Sequence, residues 1–136
     1  MGNTLLDYAL IQVFHNFGAV LILALSGRGL VMARRQQSTR WIAGLTGLVW
    51  ALQGITGALF GWVTWKTEHQ WPDIHGVAVA ALIIKMLCVV AGILSMGAGA
   101  LWGMRWSDER QFGFWATGLG LGALALTCAA FLRWFS

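Results

Sequence analysis

The sequence predicts an all-α integral membrane protein built as a four-helix bundle. Of its 136 residues, 58% are hydrophobic and only 10% are charged, and the mean hydropathy is +0.69, whereas soluble domains carry about 25% charged residues. Four long apolar stretches divide the chain, and a hydrocarbon core about 30 Å thick requires roughly 20 helical residues to cross it. Residues 1–136 are therefore interpreted as one transmembrane domain, with no room for a separate soluble one.

Helices are predicted at residues 4–33, 41–65, 75–104 and 112–134. Asp7, His15 and Asn16 interrupt the apolar character of the first helix before it reaches Arg28. No basic residue precedes Arg28, and no small-residue cleavage site follows a short apolar core. We therefore expect the first segment to be a retained span rather than a signal peptide.

The distribution of cations predicts the orientation. One side of the bundle holds Arg28, Arg34, Arg35, Arg40, Arg105 and Arg110. The opposite side holds only Lys66 and Arg133. By the positive-inside rule, both termini are expected on the outer, periplasmic side of the inner (cytoplasmic) membrane. The net charge of +4 is then explained by topology and contact with the lipid bilayer, and no basic stripe supports binding to nucleic acid.

Tryptophans and glycines fit the same architecture. Trp50 alone lies well inside a predicted span, and the other tryptophans fall near helix ends or in a connection, as interfacial aromatic belts require: Trp41, Trp62, Trp65, Trp71, Trp102, Trp106, Trp115 and Trp134. Glycine pairs four residues apart predict close helix packing: Gly57 with Gly61, Gly99 with Gly103, and Gly118 with Gly122.

The third apolar stretch contains one cation, Lys85, and a cation near the middle of a bilayer costs about 3 kcal/mol on insertion scales. Lys85 lies about 15 Å below His75, and His15 lies about 12 Å below Asp7, at 1.5 Å per helical residue. Lys85 and His15 are therefore predicted at similar depth. Both share their helix faces with small residues, which leave room for a cofactor or a neighbouring helix.

The second helix adds polar groups near the middle of the membrane. Gln53 and Thr56 lie one turn apart, and Trp50 is nearby. Together with His15 and Lys85, they predict a cluster of hydrogen-bonding side chains inside the bundle.

Three chemistries fit such a cluster. The imidazole of His15 is a suitable axial ligand for haem iron, with Lys85 or Arg28 beside a propionate or a substrate. Alternatively, His15 and Cys88 could pass a cuprous ion to thioether ligands, for which the candidates are Met86, Met96 and Met104. In the third chemistry, Lys85 exchanges protons in a quinone or transport site. His75 is a candidate second ligand at the outer boundary, although its depth differs from that of His15.

The stretch IHGVAVAALIIKMLCVVAGILSMGAGALW resembles the characteristic helix of the copper-resistance D (CopD) family of membrane proteins. With His15 in the first helix, the chain is also similar to the HemJ-type protoporphyrinogen oxidases. That resemblance implies a four-helix membrane protein that binds b-type haem, with His15 as the haem ligand and Lys85 as a second functional position.

The sequence therefore predicts a b-type haem-binding membrane protein of electron transfer or oxidation. The predicted cofactor-binding residues are His15, His75, Lys85 and Trp50, with His15 and His75 as metal ligands. The predicted catalytic residues are Lys85, Gln53 and Arg28. A homo-oligomer or a subunit of a larger membrane complex is expected, with a quinone or a porphyrin as partner. The alternatives are a copper transport or resistance protein and a cofactor-free accessory subunit.

Overall fold

The computed structural model describes residues 2–68 and 76–135, and these form four long helices. They are α1 (Gly2–Arg34), α2 (Arg40–Glu68), α3 (Val77–Trp102) and α4 (Asp108–Phe135), with a single 3₁₀ turn at Gly103–Arg105. The described ranges contain no β-strand. Each of the four helices is long and apolar enough to cross a membrane, which confirms the predicted all-α class.

The helices pack in a ring. α1 contacts α2, α2 contacts α3, α3 contacts α4, and α4 returns to contact α1. Consequently α1 and α3 lie diagonally across the bundle, and a side chain of one reaches the other only through the interior.

The interior of the bundle combines an apolar core with a few polar side chains, and its outer surface is apolar. Buried polar side chains include Ser26 and Thr46, both 0% exposed, whereas Phe14 is 67% exposed and Leu87 is 63% exposed. Soluble monomers rarely expose such continuous apolar surface. This distribution is typical of a helix bundle whose outer surface faces hydrocarbon.

The end of α1 is a Schellman motif. The backbone N–H of Gln37 donates to Met32 O at 2.9 Å, and that of Gln36 donates to Ala33 O at 3.1 Å. Gln36 adopts the left-handed conformation that this motif requires, with φ of 56°. The motif satisfies two carbonyls that the helix end leaves without intrahelical donors.

The fourth helix begins at Asp108, earlier than the predicted residue 112. The hydroxyl of Ser107 accepts the backbone N–H of Arg110 at 3.3 Å, which is an N-cap contact, and Asp108 and Glu109 occupy the first turn. Trp115 consequently lies in the second turn of α4 rather than near its end. It is 0% exposed and covers Gly29 of α1, so the expectation that Trp115 belongs to an interfacial belt is wrong.

Side chains of neighbouring helices, rather than opposing glycines, occupy the space above several glycines. A Cβ at Gly92 would meet the indole of Trp50, one at Gly99 would meet Phe114, and one at Gly118 would meet Met96. The predicted close packing is present at Gly99 and Gly118, where one glycine packs against one large side chain. It is not present at Gly61, where no described atom lies within 4 Å of a Cβ.

The α1–α2 connection is tied to the start of α4 at one end of the bundle. Gln36 Nε2 donates to Asp108 Oδ2 at 3.1 Å, and the Thr39 hydroxyl donates to Gln111 Oε1 at 3.3 Å. These contacts hold the arginine-rich connections together.

Candidate functional site

Lys85 and His15 meet in the interior of the bundle. Lys85 Nζ lies 3.1 Å from His15 Nε2, so this contact joins α3 to α1 across the diagonal. His15 is 9% exposed and Lys85 is half-buried. The two side chains that the sequence places at similar depth are therefore in direct hydrogen-bond contact.

Thr56 of α2 contacts the other ring nitrogen of His15. Thr56 Oγ1 lies 2.7 Å from His15 Nδ1. The same hydroxyl also lies 2.9 Å from Leu52 O and 3.1 Å from Gln53 O. A hydroxyl has only one proton, and carbonyls can only accept, so whenever Thr56 donates to its own helix it accepts from His15 Nδ1.

With Thr56 bound to its own helix, the contacts of His15 match one tautomer. If Nδ1 carries the proton that Thr56 accepts, Nε2 presents a lone pair. Lys85 then donates to that lone pair as an ammonium group. The result is a directed chain of hydrogen bonds that begins at Lys85 and ends at the backbone of α2.

Gln53 holds the backbone of α1 beside the imidazole. Its Nε2 donates to His15 O at 2.7 Å, and the side chain is 7% exposed. The amide of Gln53 occupies the space that a Cβ at Gly18 would take. Glycine at position 18 therefore permits the contact that positions His15.

An aromatic neighbour packs against the pair. The ring of Phe60 meets the imidazole of His15 edge-on, with ring centroids 5.8 Å apart and an angle of 88° between the planes. Phe60 is not among the site residues predicted from the sequence, although it lies one turn after Thr56 on the same face of α2 and could have been found by that spacing.

Arg28 and Trp50, two further predicted site residues, are not brought into contact with the pair. Arg28 is exposed and lies about 20 Å from His15 along α1. Trp50 is 1% exposed and packs against Gly92; its indole Nε1 has no hydrogen-bond partner within the described part of the chain. His75 lies outside the described residues.

The copper ligands proposed from sequence point in different directions. Met86 is 60% exposed, whereas Met96 is 0% exposed and fits against Gly118. The side chain of Met104 lies outside those that the structure describes. Within residues 2–68 and 76–135, no group of three or more His, Cys, Asp or Glu side chains could hold a metal ion.

The arrangement around His15 matches a haem site in one respect and not in another. The Thr56 contact at Nδ1 is the kind of hydrogen bond that orients a metal-binding imidazole. However, Lys85 Nζ occupies the position at Nε2 where iron would bind. Gln53 fills the space at Gly18, and Val89 Cγ1 lies only 3.2 Å from a Cβ built at Gly54. Haem iron could therefore bind His15 only if Lys85 left Nε2 and the side chains packed around the imidazole separated.

Comparison of the chain with protein-family models, curated proteins and solved structures found no match. The structure itself defines the class: an all-helical bundle with four candidate membrane spans and a Lys–His–Thr hydrogen-bonded chain inside it.

Proposed function

We propose that the protein is a multi-pass protein of the inner membrane that takes part in electron transfer or oxidation by exchanging protons at Lys85 and His15. The partner that we propose is a lipid-soluble redox carrier of the quinone class, whose reduction takes up protons and whose oxidation releases them. The observation that carries this proposal is the 3.1 Å contact between Lys85 Nζ and His15 Nε2.

The free-energy cost of placing Lys85 inside the bilayer supports a functional role for this residue. A cation near the middle of a bilayer costs about 3 kcal/mol on insertion scales, and ionisable groups at that depth typically mark proton or substrate pathways. A leucine or methionine at position 85 would avoid this cost. The protein instead provides an imidazole partner for the amine and a hydroxyl and an amide to orient that imidazole.

The pair can hold its protons in two arrangements without moving a helix. In the first, the ammonium group of Lys85 donates to Nε2, and Nδ1 donates to Thr56. In the second, a neutral Lys85 amine accepts from Nε2–H, and the Thr56 hydroxyl turns to donate to Nδ1. The two arrangements differ by one proton. To release it, Lys85 passes a proton to Nε2, the Nδ1 proton moves to Thr56 Oγ1, the original hydroxyl proton leaves, and the hydroxyl turns towards Nδ1.

Lysine-selective NMR tests this function directly. The chain has only two lysines, Lys66 and Lys85, so Lys66→Arg protein labelled with ¹⁵N-lysine reports on Lys85 alone. In lipid nanodiscs, added decylubiquinone or decylubiquinol is expected to shift the Lys85 signal, whereas an alkane with no ring is not. A Lys85 signal that neither form of the quinone moves would contradict the proposal.

Binding of b-type haem at His15 is the second candidate, and the Thr56 contact at Nδ1 favours it. For this function, Lys85 would have to leave Nε2, and the side chains around Gly18 and Gly54 would have to separate. An absorption spectrum of the purified protein with and without dithionite decides between the candidates. A Soret band that disappears in His15→Ala protein supports haem, and its absence from the wild-type protein excludes haem as a resident group.

A copper function, a cofactor-free accessory role, the orientation in the membrane and the assembly state also remain proposals. A copper function predicts bound metal without haem and sensitivity to substitution of Met86 and Met96. A cofactor-free accessory role predicts that Lys85→Met leaves function intact. The proposed orientation, with both termini outside, follows from the arginine-rich connections, and assembly as a homo-oligomer or within a larger complex is proposed with it.

A further inference from the structure

A groove of about 350 Å³ lies between α1 and α2, on the side of Asp7 and Thr56. Its walls are apolar: Leu10, Ile11 and Phe14 come from α1, and Leu59 and Val63 come from α2. The polar lining residues are Asp7 and Thr56. The groove thus offers one carboxylate and one hydroxyl, separated by hydrocarbon side chains.

Thr56 belongs both to this groove and to the polar site. It lines the groove, and its Oγ1 lies 2.7 Å from His15 Nδ1. Asp7 precedes His15 by eight residues and is therefore about 12 Å closer to the end of α1. The groove begins at an exposed carboxylate and ends at the hydroxyl group that contacts the imidazole.

We propose that this groove is the proton connection between Lys85 and the membrane surface, with Asp7 as the group that collects protons and Thr56 as the relay. The proposal rests on the proposed function of the Lys85–His15 pair and names the route by which that pair exchanges protons. Leu10 and Phe14 are exposed on the outer face of the bundle, so the groove opens towards lipid along its length. The water that carries protons between Asp7 and Thr56 enters it from the membrane surface at the Asp7 carboxylate.

Each proton movement along this route balances. When Lys85 is neutral, a proton from water in the groove forms an O–H bond at Thr56 Oγ1, and the original hydroxyl proton moves to His15 Nδ1. The proton on Nε2 then moves to Lys85 Nζ, which becomes an ammonium group. Three bonds to hydrogen form, three break, and one positive charge passes from the groove to Lys85. No electron moves, so no oxidant or reductant is needed.

Of the other titratable groups, Tyr8 of α1 stacks on Phe60 with ring centroids 6.3 Å apart and does not line the groove, and Cys88 and Cys128 lie on α3 and α4. Cys88 is 3% exposed and Cys128 is 5% exposed, and neither lines the groove. From α2, the pair meets Gln53 and Thr56, which do not titrate. Asp7 is therefore the titratable side chain that α1 and α2 provide in the groove.

The test measures how fast the side-chain protons of Lys85 exchange with water in nanodiscs, using the Lys66→Arg protein. Thr56→Val removes the hydroxyl and is expected to slow exchange about tenfold, which corresponds to ~1.4 kcal/mol on the barrier. Thr56→Ser keeps the hydroxyl and should keep the wild-type rate. Asp7→Asn changes an exposed residue and should slow exchange severalfold.

Thr117→Val is the matched control, because Thr117 is an exposed threonine of α4 whose hydroxyl donates to Gly113 O at 2.8 Å. Its exchange rate should equal that of the wild type. An unchanged rate in Thr56→Val protein, or equal slowing in the control, would overturn the route. If Thr56→Val protein does not fold, the exchange rate of the Lys85 side-chain protons in Asp7→Asn protein tests the route by itself, and an unchanged rate would overturn it. A quinone-induced shift of the Lys85 signal with unaffected exchange would reject the route and leave the proposed function standing.

Discussion

At the scale of single residues, Lys85 and His15 show how much of a polar site can be predicted from the spacing of residues along each helix. Counting from His75 and Asp7 places the two side chains at similar depth, and they do make contact. Spacing does not reveal which ring nitrogen faces the lysine, because that depends on Thr56 of a third helix. The tautomer of His15 is therefore a property of the assembled bundle.

Substitutions of this pair should be strongly non-additive. His15→Leu leaves the Lys85 amine without its imidazole partner and is expected to reduce stability by about 1–3 kcal/mol. Adding Lys85→Met should recover most of that loss, since replacing both members of a buried polar pair by apolar residues is often neutral. The unfolding midpoint in sodium dodecyl sulfate measures each variant. Losses that simply add would show that the two side chains are not coupled.

At the scale of helices, aromatic side chains seated on glycines determine how closely the helices approach. Spacing along the chain predicts pairs of glycines within the same helix, but it does not pair Gly92 with Trp50 or Gly29 with Trp115. Periodicity shows which residues share a face of one helix and says nothing about the partner helix. The start of α4 at Asp108 could have been predicted from the sequence, because Ser107, Asp108 and Glu109 form a typical signal for the N-terminus of a helix.

Gly92→Ala should destabilise the bundle, because the new Cβ would meet the indole of Trp50. A cost of about 1–3 kcal/mol is expected for such overpacking. Gly97→Ala on the same helix is the matched control, since nothing lies within 4 Å of a Cβ there, and alanine is up to about 1 kcal/mol more favourable than glycine in a helix. Thermal unfolding in detergent compares the two, and equal stability of both variants would argue against the Trp50 contact as the cause.

At the scale of the whole molecule, the ring order of the helices decides what the interior contains. Because α1 and α3 are diagonal, a lysine of one meets a histidine of the other only on the bundle axis. Both groups then lie away from the apolar outer surface. The contacts of Gln36 and Thr39 with the start of α4 hold the arginine-rich end together, which is the end that we propose faces the cytoplasm.

Cysteine labelling tests that orientation. The native Cys88 and Cys128 are buried and can be replaced by alanine to remove background. In intact spheroplasts, a membrane-impermeant maleimide should label Asn3→Cys protein but not Ser38→Cys protein, because the α1–α2 connection is proposed to face the cytoplasm. Ser38→Cys protein should become labelled once the membrane is permeabilised. The opposite pattern would show that the bundle is inserted the other way round.

The sequence by itself determined the helical class, the number of candidate spans and the similar depth of His15 and Lys85. These features depend on hydropathy and on distance along one helix, and both are local quantities. Only the tertiary structure decided that Lys85 binds Nε2, that Thr56 and Gln53 orient His15, and that Arg28 lies apart from the pair. These features depend on which helices are neighbours and how each is rotated, and side chains distant in sequence settle both through their packing.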